Sequence, residues 1–158
     1  MSLIKQNWEQ ELLTIKRPCL IVSNLQRSLK LYQDILGFEL IYQNQASPGS
    51  YLYHVFGLPS EAEVTFAAFN TQHEPRALAL VEVKAFLLPA RPMPYSCALV
   101  IQVSSLESRI AEIRQLGLAV VEPNRFKTEH NLSFIEQALS DFDGNRIMLY
   151  QQVDDQSE

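Results

Sequence analysis

The side chains able to act as acids, bases or nucleophiles are few in this 158-residue chain, and they are scattered along it. The histidines are His54, His73 and His130, and the thiols are Cys19 and Cys97. The sequence contains no Cys-x-x-Cys pair, no glycine-rich phosphate loop and no serine nucleophile elbow. His54 or Glu82 could serve as a general acid or base, yet no spacing singles out either one. These motifs give no support to a nucleotide-dependent enzyme.

The charge balance narrows the class of partner. Thirteen Lys and Arg against eighteen Asp and Glu give a formal charge of −5. Nucleic-acid binding usually needs clustered basic residues, so we expect no nucleic-acid partner. Every apolar run is shorter than the ~20 residues of a membrane span, and the first residues lack the apolar region of a signal peptide. We therefore expect a cytoplasmic protein with no membrane partner and with reduced cysteines.

A weak internal repeat divides the chain into two halves. Strand-like residues ending at Val22 are followed by a helical pattern and Gly37, and the same order recurs with Val103 and Gly117. The copies agree in offset, since 103 − 22 = 81 and 117 − 37 = 80. Each copy predicts a strand, a helix and three further strands. The predicted fold class is therefore α+β, built from two tandem β-α-β-β-β modules.

The elements that position the side chains follow from periodicity. Helices are predicted over 25–36 and 106–116, each with an apolar stripe at spacings of three and four, and the second ends at Gly117. The stripes are Leu25, Leu29, Tyr32 and Leu36, and Leu106, Ile110, Ile113 and Leu116. A short helix is predicted over 51–58. Strands are predicted over 17–22, 38–43, 64–70, 77–86, 98–103, 119–121, 134–139 and 146–152.

Module boundaries follow from these elements. The first module is predicted over 17–87, a proline-rich linker over 88–94, and the second module over 95–152. Residues 1–16 are an N-terminal arm in which Ile4, Trp8, Glu11 and Leu12 have helical spacing. The arm is either amphipathic and docked on its own chain or a neighbour, or it is a partly ordered tail. Residues 153–158 are predicted to be a disordered tail.

Three motifs occur in a recognisable order. Residues 22–38 contain Ser28-Leu29, Tyr32 and Leu36-Gly37-Phe38; Gly57-Leu58-Pro59 follows; and Asp141-Phe142-Asp143-Gly144-Asn145 precedes the last strand. Their order and spacing resemble the vicinal oxygen chelate superfamily, which contains glyoxalase I, bleomycin resistance proteins and extradiol dioxygenases. The resemblance covers about residues 17–152. It implies that the two modules form a curved mixed sheet around a cup-shaped cleft.

The resemblance also predicts where a metal would be held. Active members bind one divalent metal with four side chains, from the first and last strands of each module. These positions fall on Arg17, Ala79, Ala98 and Met148, and the neighbouring positions contain no His, Asp or Glu. A shift of the alignment therefore does not restore a ligand set. We expect no metal and no other cofactor; a divalent metal in an atypical arrangement is the alternative.

Strand alternation then indicates which residues would line the cleft. The candidate ligand-binding residues are Arg17, Cys19, Ala79, Ala98, Gln102, Arg146, Met148, Tyr150, Tyr53 and His54. Arg17 is the most informative, because a guanidinium can bind a carboxylate or phosphate through two parallel hydrogen bonds. It favours an anionic ligand, and the aromatic residues favour a flat one. The alternative is that Arg17 pairs with an internal carboxylate such as Glu82 or Glu136.

Three interpretations of function remain open. The leading one is a homodimeric, glyoxalase/bleomycin-resistance-like protein that binds a small molecule in a metal-free cleft. The second is an enzyme of the superfamily, a lyase or dioxygenase, with an atypical or absent metal site. The third is a non-catalytic dimeric scaffold. A fold alone does not select among them, and the sequence identifies no catalytic residue.

Overall fold

A computed structural model of the chain describes residues 13–154. Its strands are β1 (Cys19–Val22), β2 (Glu39–Gln45), β3 (Glu63–Asn70), β4 (Leu78–Lys84), β5 (Ala98–Gln102), β6 (Asn124–Lys127), β7 (Ser133–Ser140) and β8 (Arg146–Val153). Its α-helices are α1 (Leu25–Leu29), α2 (Leu52–Phe56) and α3 (Leu106–Gln115), and α1 continues as a π-helix over Lys30–Ile35. Within the described residues, no helix is long and apolar enough to cross a membrane.

The strands form two four-stranded mixed sheets of identical topology. The first sheet has the order β1-β4-β3-β2 and the second has the order β5-β8-β7-β6. In each sheet the first strand of the repeat pairs in parallel with the last, and the remaining pairs are antiparallel. The α+β class and the repeated β-α-β-β-β order are therefore confirmed.

One core joins the helices to one face of each sheet. Leu25 and Tyr32 from the first helix, and Ile110 and Ile113 from α3, are buried together with residues of β3, β4, β7 and β8. Each fully buried Leu or Ile of this kind stabilises the folded state by roughly 1.5–3 kcal/mol relative to an exposed side chain. We call the sheet faces that pack on this core the outer faces. The opposite, inner faces are left to form a site.

Two predicted elements differ from the observed ones. The helix predicted over 25–36 changes to π-helical hydrogen bonding from Lys30 onward, which apolar spacing alone does not reveal. The strand predicted over 119–121 is wrong, because only Val120 makes an isolated bridge, to Leu139. The strand that follows α3 in that module is β6 instead, and all four of its residues are exposed. A strand with no buried face lacks the alternating pattern that marks strands in a sequence.

The ends of the chain lie largely outside the described residues. The predictions for the arm before Leu13 and for the tail after Asp154 fall there. Residues 13–18 have no regular secondary structure, and the side chains of Leu13 and Ile15 are 98% and 92% exposed. The segment that leads into β1 therefore exposes its apolar side chains to solvent.

Gly117 provides a local test of the fold. It follows α3 with φ +84°, a left-handed conformation in which a Cβ is strained. We expect Gly117→Ala to lower the free energy of unfolding by about 1 kcal/mol. Gly49→Ala is the matched control, because Gly49 lies in a turn without a positive φ and has open space around it. Urea unfolding measures both; an equal effect of the two substitutions would contradict the assignment of Gly117 as the helix cap.

Candidate functional site

The inner face of the first sheet is defined by its strand register. Cys19 pairs with Ala79, Ala79 with Ala68, and Ala68 with Tyr42, so these four side chains form one row across the sheet. Ile21, Val81 and Phe66 form the next row. Cys19 and Ile21 therefore share a face, as strand alternation predicted. Ala79 is fully buried within its row, whereas Cys19 is exposed.

Helix α2 covers one end of this inner face. Leu52, Tyr53 and Phe56 pack with Val64 and Val83 in a small second core. The Tyr53 hydroxyl donates a 2.7 Å hydrogen bond to the Ala62 carbonyl, so its polar end is used within the fold. His54 is exposed, with its ring centroid 5.5 Å from that of Tyr51. Tyr53 thus helps to close this end of the face, and His54 lies on the surface.

The other end of the inner face carries two guanidinium groups. Arg17 is half-buried, and its Nη1 donates to the Arg76 carbonyl at 3.5 Å. Arg76 has φ +50°, its backbone N–H donates to Asn70 Oδ1 at 2.7 Å, and its guanidinium lies 5.7 Å from the Tyr42 ring centroid. We call Arg17, Cys19, Tyr42 and Arg76 the arginine end. Arg76 and Tyr42 were missed in the sequence, because a contact between a turn and a neighbouring strand leaves no periodic signal.

The two guanidinium groups at the arginine end form no ion pair with a carboxylate of residues 13–154. Among the described residues, no carboxylate lies within 4.0 Å of Arg17 or Arg76. Glu82 instead accepts from the Leu25 N–H at 2.6 Å, and Glu136 accepts from Asn124 at 3.0 Å. Neither Glu82 nor Glu136, the two partners considered for Arg17, is therefore paired with it.

The Cys19 thiol responds to the same surroundings. Burial of the sulfur raises the pKa of Cys19, and the nearby positive charge of Arg17 partly offsets that rise. Cys19 and Cys97 are both free thiols.

The inner face of the second sheet holds the remaining predicted residues. Ala98 pairs with Arg146, and Val100 with Met148. Gln102 pairs with Tyr150, whose hydroxyl lies 3.3 Å from Gln102 Oε1. This face is open to solvent, since Val100 is 54% exposed. The shared faces predicted for β5 and β8 are thus observed.

Aromatic groups border this second face. Arg146 lies 4.6 Å from the Tyr95 ring centroid, and Phe126 stacks on Phe134 with centroids 5.5 Å apart. Phe134 also contacts Tyr150. The predicted site residues therefore fall into two groups, one on each sheet. In the described part of the chain no strand pairing joins the two sheets.

The donor set does not fit a divalent metal at the superfamily positions. Arg17 has no lone pair to donate, Ala79 and Ala98 have no polar atom, and Met148 offers a soft thioether. Over residues 13–154 no group of three or more His, Cys, Asp or Glu side chains converges. The groups present on these faces can form ion pairs, hydrogen bonds and aromatic contacts.

A buried polar cluster fixes one module against the other. Asp141 Oδ2 accepts from the Tyr32 hydroxyl and from Asn145 Nδ2, each at 2.8 Å, and its Oδ1 accepts two backbone N–H groups of its own turn. Asp143 accepts from Ser23 at 2.5 Å and pairs with Arg27 at 3.3 Å. The turn recognised in the sequence before the last strand is therefore a structural clamp between the modules.

The clamp predicts a pH dependence of stability. Burial, and then the charge of Asp141, raise the pKa of Tyr32 well above its ordinary value. In the unfolded chain this phenol ionises near pH 10, at about its reference pKa. The free energy of unfolding that the raised pKa contributes is therefore fully present below that pH and is lost as the pH rises further. Tyr32→Phe should reduce the fall in unfolding free energy above pH 10. Denaturant titrations at several alkaline pH values measure the free energy of unfolding. An equal fall of that free energy with pH in the wild type and in Tyr32→Phe would contradict the prediction.

These features define a protein of two repeated β-α-β-β-β modules whose inner faces carry guanidinium, thiol and aromatic groups. The sequence profile of the Glyoxalase/Bleomycin resistance protein/Dioxygenase superfamily matches residues 14–149, and the chain belongs to this superfamily. A comparison with curated proteins found no match.

Solved structures show the same fold. A glyoxalase family protein from Bacillus cereus has a TM-score of 0.72 at 16% identity, over 92% of this chain and 98% of the other. A trypanothione-dependent glyoxalase I from Leishmania major has a TM-score of 0.60 at 16% identity, over 88% and 86%. The fosfomycin resistance protein FosX from Listeria monocytogenes has a TM-score of 0.58 at 16% identity, over 89% and 92%. At these identities the likeness extends to the fold alone.

Proposed function

We propose that this protein binds a small anionic molecule at the arginine end, without a metal. The observation that carries the proposal is the pair of guanidinium groups of Arg17 and Arg76, neither of which has a carboxylate partner in the described residues. A half-buried charge is costly unless it is paired, so a bound anion would stabilise Arg17. No cofactor is needed for this binding.

The chemistry of the arginine end favours a carboxylate attached to a flat apolar group. A guanidinium binds a carboxylate through two parallel N–H groups. The Tyr42 ring lies 5.9 Å from the Phe66 ring, so an aromatic surface adjoins the charged groups. Pockets that combine a few orienting polar groups with apolar walls are typical of small-molecule sites.

Benzoate and benzamide form a matched pair of probes for this proposal. They share a ring and differ in charge, so a guanidinium site should bind benzoate alone. We expect benzoate to raise the melting temperature and to bind in isothermal titration, and we expect added salt to weaken it. Equal binding of benzamide and benzoate would overturn the proposal. Failure of both benzoate and phenyl phosphate to bind would also overturn it.

A further inference from the structure

A cleft of about 760 Å³ lies between the two modules. Its first-module wall is formed by residues 36–38, at the end of the first helix, and by residues 71–74 of the β3–β4 turn. Its second-module wall is formed by residues 99–104, Arg109 and residues 151–152. None of the four residues of the arginine end lines it. Clefts of this size are typical of small-molecule sites.

The internal repeat gives this cleft a counterpart at the clamp. At the clamp, the β7–β8 turn of the second module meets the residues that follow β1 and the start of the first helix. At the cleft, the β3–β4 turn of the first module faces the residues that follow β5 and the start of α3. Ser104 is the equivalent of Ser23, since 104 − 23 = 81 is the offset of the repeat. The two boundaries between the modules are therefore built from matching elements.

At the clamp, these elements hold a carboxylate. Asp143 Oδ1 accepts from Ser23 Oγ at 2.5 Å and from Arg27 Nη2 at 3.3 Å. The Asp143 side chain is only 8% exposed. Hydrogen bonds between charged groups are about twice as strong as those between neutral groups. A serine hydroxyl and a guanidinium from the start of a helix thus form a carboxylate site within this fold.

At the cleft, the same two groups have no carboxylate between them. Ser104 and Arg109 both line the cleft, and neither has a carboxylate partner among the described residues. Arg109 Nη1 donates to the Ile35 carbonyl, which fixes the guanidinium across the module boundary, and its buried Nε has no acceptor in this part of the chain. Glu74, the acidic residue of the β3–β4 turn, accepts from Thr71 Oγ1 of its own turn. The guanidinium therefore keeps N–H groups with which to bind an anion.

We propose that this cleft binds a small carboxylate between Ser104 and Arg109, in the way that the clamp binds Asp143. The site is distinct from the arginine end, because the two share no residue. Binding at one does not require binding at the other.

The remaining walls indicate what the carboxylate is attached to. Leu36 and Phe38 contribute apolar surface. Side-chain amides, which both donate and accept hydrogen bonds, are contributed by Gln72, Gln102 and Gln152. An N-acyl amino acid combines a carboxylate, an amide and an apolar group, so this is the class of ligand that the cleft fits.

Hippurate is the probe for this proposal, and hippuramide, which has the same ring and amide but no carboxylate, is its matched control. Nuclear magnetic resonance titration of the full chain locates the binding. We expect hippurate to shift the Arg109 Nε–H and Ser104 backbone N–H signals, both in the wild type and in Arg17→Ala, which removes the arginine end. We expect hippuramide to bind at least about ten-fold more weakly, because it lacks the charged acceptor.

Ser104→Asp supplies a competing carboxylate within the chain. Ser104 is exposed and lies just before α3, where a negative charge is favourable, so the variant should fold. We expect the affinity for hippurate to fall at least about ten-fold, because the new carboxylate repels the ligand and pairs with Arg109. Ser60→Asp is the control, since Ser60 lies on an exposed turn outside the cleft, and it should bind hippurate like the wild type.

Three results would overturn the proposal. The first is saturating hippurate that leaves the Arg109 and Ser104 signals unmoved, even if signals of Arg17 and Cys19 respond; that pattern would support the arginine end alone. The second is equal affinity of the cleft for hippurate and hippuramide, which would mean that the carboxylate is not recognised. The third is unchanged affinity for hippurate in Ser104→Asp.

Discussion

Asp141→Ala should lower the free energy of unfolding by about 3–5 kcal/mol, the cost of losing a buried, hydrogen-bonded charge. The carboxylate is buried and accepts four hydrogen bonds, two on each oxygen. Its removal leaves the Tyr32 hydroxyl and two backbone N–H groups without their acceptor. Because Tyr32 belongs to the first module, the loss loosens the contact between the modules. Urea unfolding followed by circular dichroism measures the effect.

Asp34→Ala is the matched control for this prediction. Asp34 is exposed on the π-helix, and we expect its removal to change stability by less than about 0.5 kcal/mol. Asp141→Asn should fall between the two, because an amide keeps one acceptor oxygen and places a donor opposite Asn145 Nδ2. A loss below about 1 kcal/mol for Asp141→Ala would show that the clamp contributes little.

Arg17→Ala should weaken benzoate binding by about 10- to 100-fold, which corresponds to roughly 1.5–3 kcal/mol for a hydrogen bond to a charged group. Arg17→Lys should retain part of the affinity, since an ammonium keeps the charge but loses the planar pair of donors. Isothermal titration at low salt measures both. Arg125→Ala is the control, because Arg125 is exposed on β6 and pairs with Ile135 of the outer face.

The Cys19 thiol gives a second readout of the same substitution. Since the charge of Arg17 lowers the pKa of Cys19, Arg17→Ala should raise that pKa further and slow alkylation by iodoacetamide at pH 8. The measurement uses a Cys97→Ser background, so that one thiol reacts. Unchanged benzoate affinity together with slower alkylation would place Arg17 beside the thiol but outside the binding site.

Much of the fold could be predicted because its signals are local. Six of the eight residues in the stripes beginning at Leu25 and Leu106 are buried as their spacing predicts, Leu29 and Leu116 are partly buried, and Gly117 follows α3 in the left-handed conformation. Inner-face neighbours such as Cys19 and Ile21 followed from alternation. The strand at Asn124–Lys127 could not be predicted, because none of its side chains is buried.

The site was harder to predict than the fold, because its contacts join distant residues. Arg17 was recognised through its strand position, but Arg76 and Tyr42 meet across a turn and a neighbouring strand. Asp141 was recognised as part of a turn, yet its partner Tyr32 lies 109 residues away. Strand alternation correctly placed Ala79 on the inner face, but it could not show that neighbouring side chains cover Ala79 completely.

Metal content tests the central claim of metal-free binding most directly. The superfamily positions hold Arg17, Ala79, Ala98 and Met148, so we predict far less than one metal per chain in protein purified without chelator. We also predict no rise in melting temperature with Mn(II), Fe(II), Ni(II) or Zn(II). Near-stoichiometric metal in elemental analysis, with a clear rise in melting temperature for the same ion, would contradict the account.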